Sequence, residues 1–268
     1  MDYQDMIYTK KEGIATIILN RPDKMNALSR GLFEGIYNAV EDATKDNEVR
    51  VLVITGTGQA FCSGADVKAL AENASRPATE EKERPRGMRH VPFAIQLQQC
   101  DKPVIAAING AAVGIGLDLA LACDIRIASD KARLTVGYIR RGMLPAGGAT
   151  YFLPRLVGMD KACQFIWTGD MIDAKEAERI GLVTMVVPHD ELESATRELA
   201  EKIAKGPPQA IQSAKRAIYE GLKTDLETNL EYTMAVRQEL LKTGDHKEGT
   251  TAFVEKREPV FKGEQRKK

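Results

Sequence analysis

The sequence predicts an α/β fold that ends in a helical region. Three features predict it: continuous apolar runs of strand length, helical stripes set between them, and the loss of strand signals after residue 189. Ile14–Leu19 (IATIIL), Val51–Thr55 (VLVIT) and Val104–Ile108 (VIAAI) read as strands covered on both faces, because neither face carries a regular polar alternation. Ile125–Ala128 and Leu182–Val187 extend the series. Between the first two strands Ser29 reads as a helix N-cap, since Leu32, Phe33, Ile36 and Val40 then fall on one face. Strand–helix–strand units in repetition build layers of helix on sheet.

From Asp190 onward, Leu192, Ala195, Leu199 and Ile203 form a helical stripe. Gly206-Pro207-Pro208 ends that helix and opens the next, as proline tolerates only a first helical turn. Thr224-Asp225-Leu226-Glu227 reads as a capping box ahead of Leu226, Leu230 and Met234. The expected organisation is a core over residues 1–189 and a helical region over 190–268. Residues 73–90 are dense in charge and read as a surface loop.

Composition narrows the partners. Of 268 residues, 38 are Lys or Arg and 38 are Asp or Glu, so no net field draws in nucleic acid or a membrane surface. The apolar stretch 103–123 has the length of a membrane span, but Asn109, Asp118 and its glycines mark it as buried core. Cys62, Cys100, Cys123 and Cys163 lack the spacing of a metal site or disulfide framework, which points to a reducing cytoplasm. The opening MDYQDMIYTKKEG has no apolar stretch behind a basic flank, so no signal peptide is expected. His90, His189 and His246 are scattered in polar contexts, as surface histidines are, and no metal site is expected.

Two glycine-bearing segments carry the chemistry. Phe61-Cys62-Ser63-Gly64-Ala65-Asp66-Val67-Lys68 follows one apolar strand, and Ile108-Asn109-Gly110-Ala111-Ala112-Val113-Gly114-Ile115-Gly116-Leu117-Asp118 follows another. A chain that leaves a strand through glycine and enters a helix exposes unpaired N–H groups able to hold negative charge. Two such turns facing one another would form an oxyanion hole. Gly114-x-Gly116 lacks the third glycine of a dinucleotide turn, and Ser63 lacks the G-x-S-x-G setting of a hydrolase nucleophile. A purely structural use of both turns is the remaining alternative.

These segments, together with Asn20-Arg21-Pro22, Asn26-Ala27-Leu28, Leu153-Pro154-Arg155-Leu156-Val157-Gly158, Ala174 with Glu176-Ala177, Gly181-Leu182-Val183 and Phe253-Val254-Glu255-Lys256-Arg257, resemble the crotonase (enoyl-CoA hydratase/isomerase) superfamily across residues 5–262. The resemblance implies a spiral of β-β-α units with a helical C-terminal region that forms trimers, often paired as hexamers. It implies an acyl-CoA thioester whose enolate is held by the backbone N–H groups of Ser63 and Ile115. Met25, Ala27, Gly64, Ala65, Asp66, Val67 and Gly114 would cradle coenzyme A, with Phe253 and Lys256 reaching its nucleotide end. Coenzyme A arrives as part of the substrate, and no separate cofactor is implied.

Asp118 stands where the family's hydratases place a first catalytic glutamate, and Tyr138 where they place a second. An aspartate remains a competent acid/base, whereas a phenol with a reference pKa of about 10 is a donor rather than a base. The resemblance therefore implies an enoyl-CoA hydratase or isomerase with Asp118 as acid/base and Tyr138 assisting. The alternatives are a retro-Claisen hydrolase or decarboxylase acting on a cyclic or branched acyl-CoA, and a non-catalytic acyl-CoA-binding member.

Overall fold

The computed structural model describes residues 3, 5–66 and 92–263; Val67, His90 and the charged stretch 73–90 lie outside them. A hairpin of β1 (Met6–Lys11) and β2 (Ile14–Leu19) leads into α1 (Arg30–Lys45). Ser29 caps that helix as expected, its Oγ accepting from Leu32 N–H at 3.1 Å. Three repeats follow, each a long strand, a short strand and a helix. They are β3 (Val51–Gly56), β4 (Ala60–Cys62) and α2 (Phe93–Gln99); β5 (Val104–Ile108), β6 (Ala111–Val113) and α3 (Ile115–Ala122); then β7 (Ile125–Ser129), β8 (Arg133–Thr135) and α4 (Ala149–Val157).

The long strands join a six-stranded sheet in the order β1-β2-β3-β5-β7-β10, where β10 is Met185–Val187. The short ones join a second sheet, β4-β6-β8-β9, closed by β9 (Ile172–Asp173). Each repeat thus steps one place along both sheets at once, which winds the chain into a spiral. Next to β9 lie α5 (Met159–Thr168) and α6 (Ala174–Arg179). After Pro188 the described chain is helical: a 3-10 turn, then α7 (Leu192–Ala204), α8 (Pro208–Gly221), α9 (Leu226–Leu240) and α10 (Gly244–Glu255). No helix among the described residues is long and apolar enough to cross a membrane.

The main core fills the space between the six-stranded sheet and α1 to α5, and a smaller core joins the sheet's other face to α7. β3 and β5 are covered on both sides, as their apolar runs require. β2 departs from that expectation: Ala15, Ile17 and Leu19 are sealed, while Ile14, Thr16 and Ile18 are half-buried. The reason is that α7 covers only part of the sheet, leaving a cleft of about 490 Å³ that Thr16, Ile18, Thr55 and Arg197 help to line. None of Ser63–Asp66 or Gly114–Asp118 lines it.

The α7 stripe packs as expected, Leu192 sealed and Leu199 and Ile203 half-buried against the smaller core, with Thr196, Ala200 and Ala204 buried beside them. Two further expectations are corrected. The cap of α9 is Asp225, which accepts from Thr228 N–H at 2.8 Å, and not a Thr224 box. The stripe Leu226, Leu230 and Met234 faces outward, because nothing among the described residues packs over it.

A buried ion pair ties the helical region to the core. Lys215 of α8 donates to the carbonyls of Leu97 and Lys102 and pairs with Asp124 at 2.7 Å. Asp124 also accepts from Tyr219 Oη at 2.6 Å and from Val104 N–H at 2.7 Å. Removing the cation strands a buried carboxylate. Lys215→Met is expected to cost about 3 kcal/mol or more, read as a lower urea midpoint at unchanged slope. An unchanged midpoint would show that α8 is not pinned through this pair.

Candidate active site

The two glycine turns meet. A side chain at Gly64 would stand 2.8 Å from the carbonyl oxygen of Val113, and one at Gly116 would stand 2.2 Å from the carbonyl oxygen of Cys62. Both positions need glycine because backbone lies against backbone there. Gly64 and Gly114 also take positive φ, +101° and +55°, which other residues rarely adopt.

The expected donor in the first turn is corrected. Ser63 N–H is already used, donating to Met25 O at 2.9 Å. Gly64 N–H faces the Cys62 sulfur and slightly favours its thiolate. The next amide, Ala65 N–H, has no acceptor among the described residues. Its direction is set by its own peptide plane: Gly64 O accepts from Leu28 N–H at 2.8 Å, so the trans N–H points away from Leu28. In the second turn Gly114 O accepts from Asp118 N–H at 3.0 Å, closing the first turn of α3. Ile115 N–H, ahead of that turn, has no acceptor among the described residues, as expected of a helix start.

Beside this pair of amides lies a carboxylate–phenol pair. Asp118 is 2% exposed. Its Oδ2 accepts from Tyr138 Oη at 2.6 Å, and its Oδ1 accepts from Ala149 N–H, the first amide of α4, at 2.8 Å. Gly147 makes room for this, since a side chain there would run into the Asp118 carboxylate. Burial is the largest influence on Asp118 and raises its pKa above the ordinary range; the bonds from Tyr138 and Ala149 pull it back down. Tyr138 is pushed upward by burial and by the adjacent carboxylate, so it stays protonated. Burial likewise raises the Cys62 thiol to about 11, leaving it inert at neutral pH.

Around the first turn, Met25, Asn26 and Ala27 lie alongside Ser63–Ala65, and Leu28 forms a parallel bridge with Ala65. Asn26, overlooked as a site residue in the sequence, is fully buried at positive φ and donates to Thr57 O and Ala60 O, locking this strip in place. Asp66 lies 3.6 Å from Arg21. Phe253 and Lys256 are at the far end of α10 with exposed side chains, and no bond joins them to the glycine turns. Ala65 is expected from the sequence as a coenzyme A contact, not as an amide donor, whereas Arg21 and Ala149 are not singled out there. Arg21 at least stands inside Asn20-Arg21-Pro22, while Ala149 meets Asp118 through its backbone N–H alone.

A spiral of β-β-α units that sets two backbone turns in contact beside one buried acid has the makings of an enzyme site. The family model for enoyl-CoA hydratase/isomerase matches residues 9–265. A putative enoyl-CoA hydratase/isomerase of Bacillus subtilis, YngF, is 40% identical over 258 residues, covering 95% of this chain and 96% of its own. A short-chain-enoyl-CoA hydratase of Clostridium acetobutylicum is 37% identical, covering 96% of this chain and 97% of its own. The crystal structure of a putative enoyl-CoA hydratase from Streptomyces coelicolor superposes with a TM-score of 0.90 at 32% identity, covering 98% of this chain and 96% of that one. The chain belongs to the enoyl-CoA hydratase/isomerase family, the crotonase superfamily, and is an enzyme of that type.

The raised pKa of Asp118 has a consequence for stability. From the unfolded value, about 3.9, up to the folded one, only the unfolded chain releases this proton. Stability therefore falls as pH rises through that window and is level above it. Asp118→Asn is expected to melt higher than the wild type at neutral pH, with the gap closing on acidification. A variant that melts no higher at neutral pH would mean that the Tyr138 and Ala149 bonds outweigh the burial.

Proposed function

We propose that this enzyme adds water to a 2-enoyl-CoA, or shifts its double bond, with the thioester oxygen between the amides of Ala65 and Ile115. The observation that carries the reading is the contact of the two turns through Gly64 and Gly116, with two N–H groups that have no acceptor among the described residues and a buried carboxylate on the helix that one of them opens. Preorganised donors of this kind contribute about 3–4 kcal/mol each in related acyl chemistry.

Asp118, ionised, takes a proton from water as the oxygen attacks the β-carbon, and the electron pair of the double bond moves onto the thioester oxygen. Asp118 then returns the proton to the α-carbon, so one molecule of water is added and no proton is left over. Tyr138 holds the second carboxylate oxygen and keeps Asp118 aimed. The same single carboxylate can instead lift a proton from one carbon and return it two positions on, which is isomerisation. The lack of a second carboxylate at 138 favours this second reading for 3-enoyl thioesters. Ser63 serves by fixing the strip Met25–Leu28 rather than as donor. Gly64, Ala65, Asp66, Val67, Met25, Ala27 and Gly114 are the proposed coenzyme A contacts.

We further propose that residues 190–268 serve self-association into trimers or hexamers. Leu226 is 73% exposed, Met234 65% and Phe253 86%. Covering each such side chain is worth about 1.5–3 kcal/mol. In an assembly, Phe253 and Lys256 can serve a site that they do not approach in one chain. Four thiols without a disulfide suit the cytoplasm.

The test is turnover of crotonyl-CoA and of a 3-enoyl-CoA, with products identified by mass. Asp118→Asn is expected to lose at least about a hundredfold in kcat while still binding coenzyme A. Tyr138→Phe should leave activity but move the acidic limb of kcat/KM to higher pH, because it removes a bond that lowers the Asp118 pKa. A wild-type rate in Asp118→Asn would remove this residue from the mechanism.

A further inference from the structure

A guanidinium stands at the back of the first glycine turn. Arg21 Nη1 donates to the carbonyl of Ala27 at 2.6 Å. Its Nε lies 3.5 Å from Asp5 and its Nη2 3.6 Å from Asp66, and the side chain is only 17% exposed. The Ala27 carbonyl shares a peptide plane with Leu28 N–H, which donates to Gly64 O at 2.8 Å. The Gly64 carbonyl in turn shares a plane with Ala65 N–H. Arg21 thus begins an unbroken series: cation, peptide 27–28, peptide 64–65, and then the open N–H.

Hydrogen bonds in such a series reinforce one another. A donor on a peptide oxygen draws electron density from the far N–H, by about 10–30% of bond strength per link. A charged donor does so more strongly than a neutral one. The same guanidinium touches both sides of the Leu28–Ala65 bridge, through Ala27 O on one strand and Asp66 on the other. It therefore fixes the angle of peptide 64–65 as well as polarising it.

We infer that Arg21 is a positioning residue of the thioester site, directing and strengthening the Ala65 amide through peptides 27–28 and 64–65. The inference rests on the proposed site and adds to it a charged group that never meets substrate. A role confined to holding the fold would appear in stability alone. A role through the amide must appear at the thioester carbonyl.

The probe is an aryl-acryloyl-CoA thioester, whose absorbance moves to the red when its carbonyl is polarised on binding. Arg21→Gln removes the charge and the fork; Arg21→Lys keeps the charge without the fork. The expected order of red shift is wild type, then lysine, then glutamine. For crotonyl-CoA the glutamine variant should lose about tenfold in kcat with KM held within about threefold. A full red shift and a wild-type kcat in either folded variant overturn the role of Arg21, even where its melting temperature falls. If glutamine prevents folding, the lysine variant decides by the same criterion. A wild type that binds the probe with no shift overturns the site itself, and this inference with it.

Discussion

The structure turns on how closely two stretches of main chain approach each other. At Gly64 against Val113 and at Gly116 against Cys62 there is no room for a β-carbon, so the two turns touch as bare backbone. Those contacts are made possible by the β4–β6 pairing, which sets Cys62 beside Ala112 and carries each chain into its turn at the same level. The spiral is what supplies that pairing, since every repeat adds one strand to each sheet. Much of the fold thus serves to present two peptide planes, and the large main core gives them a rigid bed.

Against this fixed frame the electrostatics of Asp118 are a balance of opposing effects. Burial disfavours its charge, while a phenol, a helix amide and the partial positive charge at the start of α4 favour it. A second carboxylate at 138 would add repulsion between like charges at hydrogen-bond distance and push one of the two toward its protonated form. Tyr138 avoids this, supplying a proton that burial and the neighbouring charge keep in place. The phenol therefore keeps its proton, and the carboxyl faces a donor where a second carboxylate would have faced it with like charge.

How much was legible in the sequence follows from which interactions are local. Val51–Thr55 and Val104–Ile108 declare themselves because a doubly covered strand must be apolar throughout, and Ser29 because its partner is three residues away. β6, β8 and β9 are two or three residues long, too short to show any period, and gave no such signal. Thr224 was mistaken for a cap because one residue of register separates it from Asp225, and sequence fixes helix starts no better than that. That Ser63 N–H is taken, leaving Ala65 as the proposed donor, is hidden from the sequence for a different reason. Which amide is free depends on Met25 and Leu28, which reach the turn across 38 and 36 positions of sequence and are held there by the buried Asn26.

That last point explains why a site of this kind divides its functions so sharply. Groups that act through the main chain, at 64, 65, 114 and 115, are constrained by space and dihedral angle, and their side chains contribute little chemistry. Asp118 and Tyr138 act through side chains, and their backbones are held by α3 and by the 3-10 turn Ile139–Arg141 that begins after Tyr138. On the proposed reading, a change at 118 or 138 alters where protons can go without moving the amides proposed to hold the oxygen. A change at Gly64 or Gly116 does the reverse, forcing the two turns apart while leaving the acid in place. In the proposed reaction the proton chemistry falls to two side chains, and the hold on the thioester oxygen to the path of the backbone.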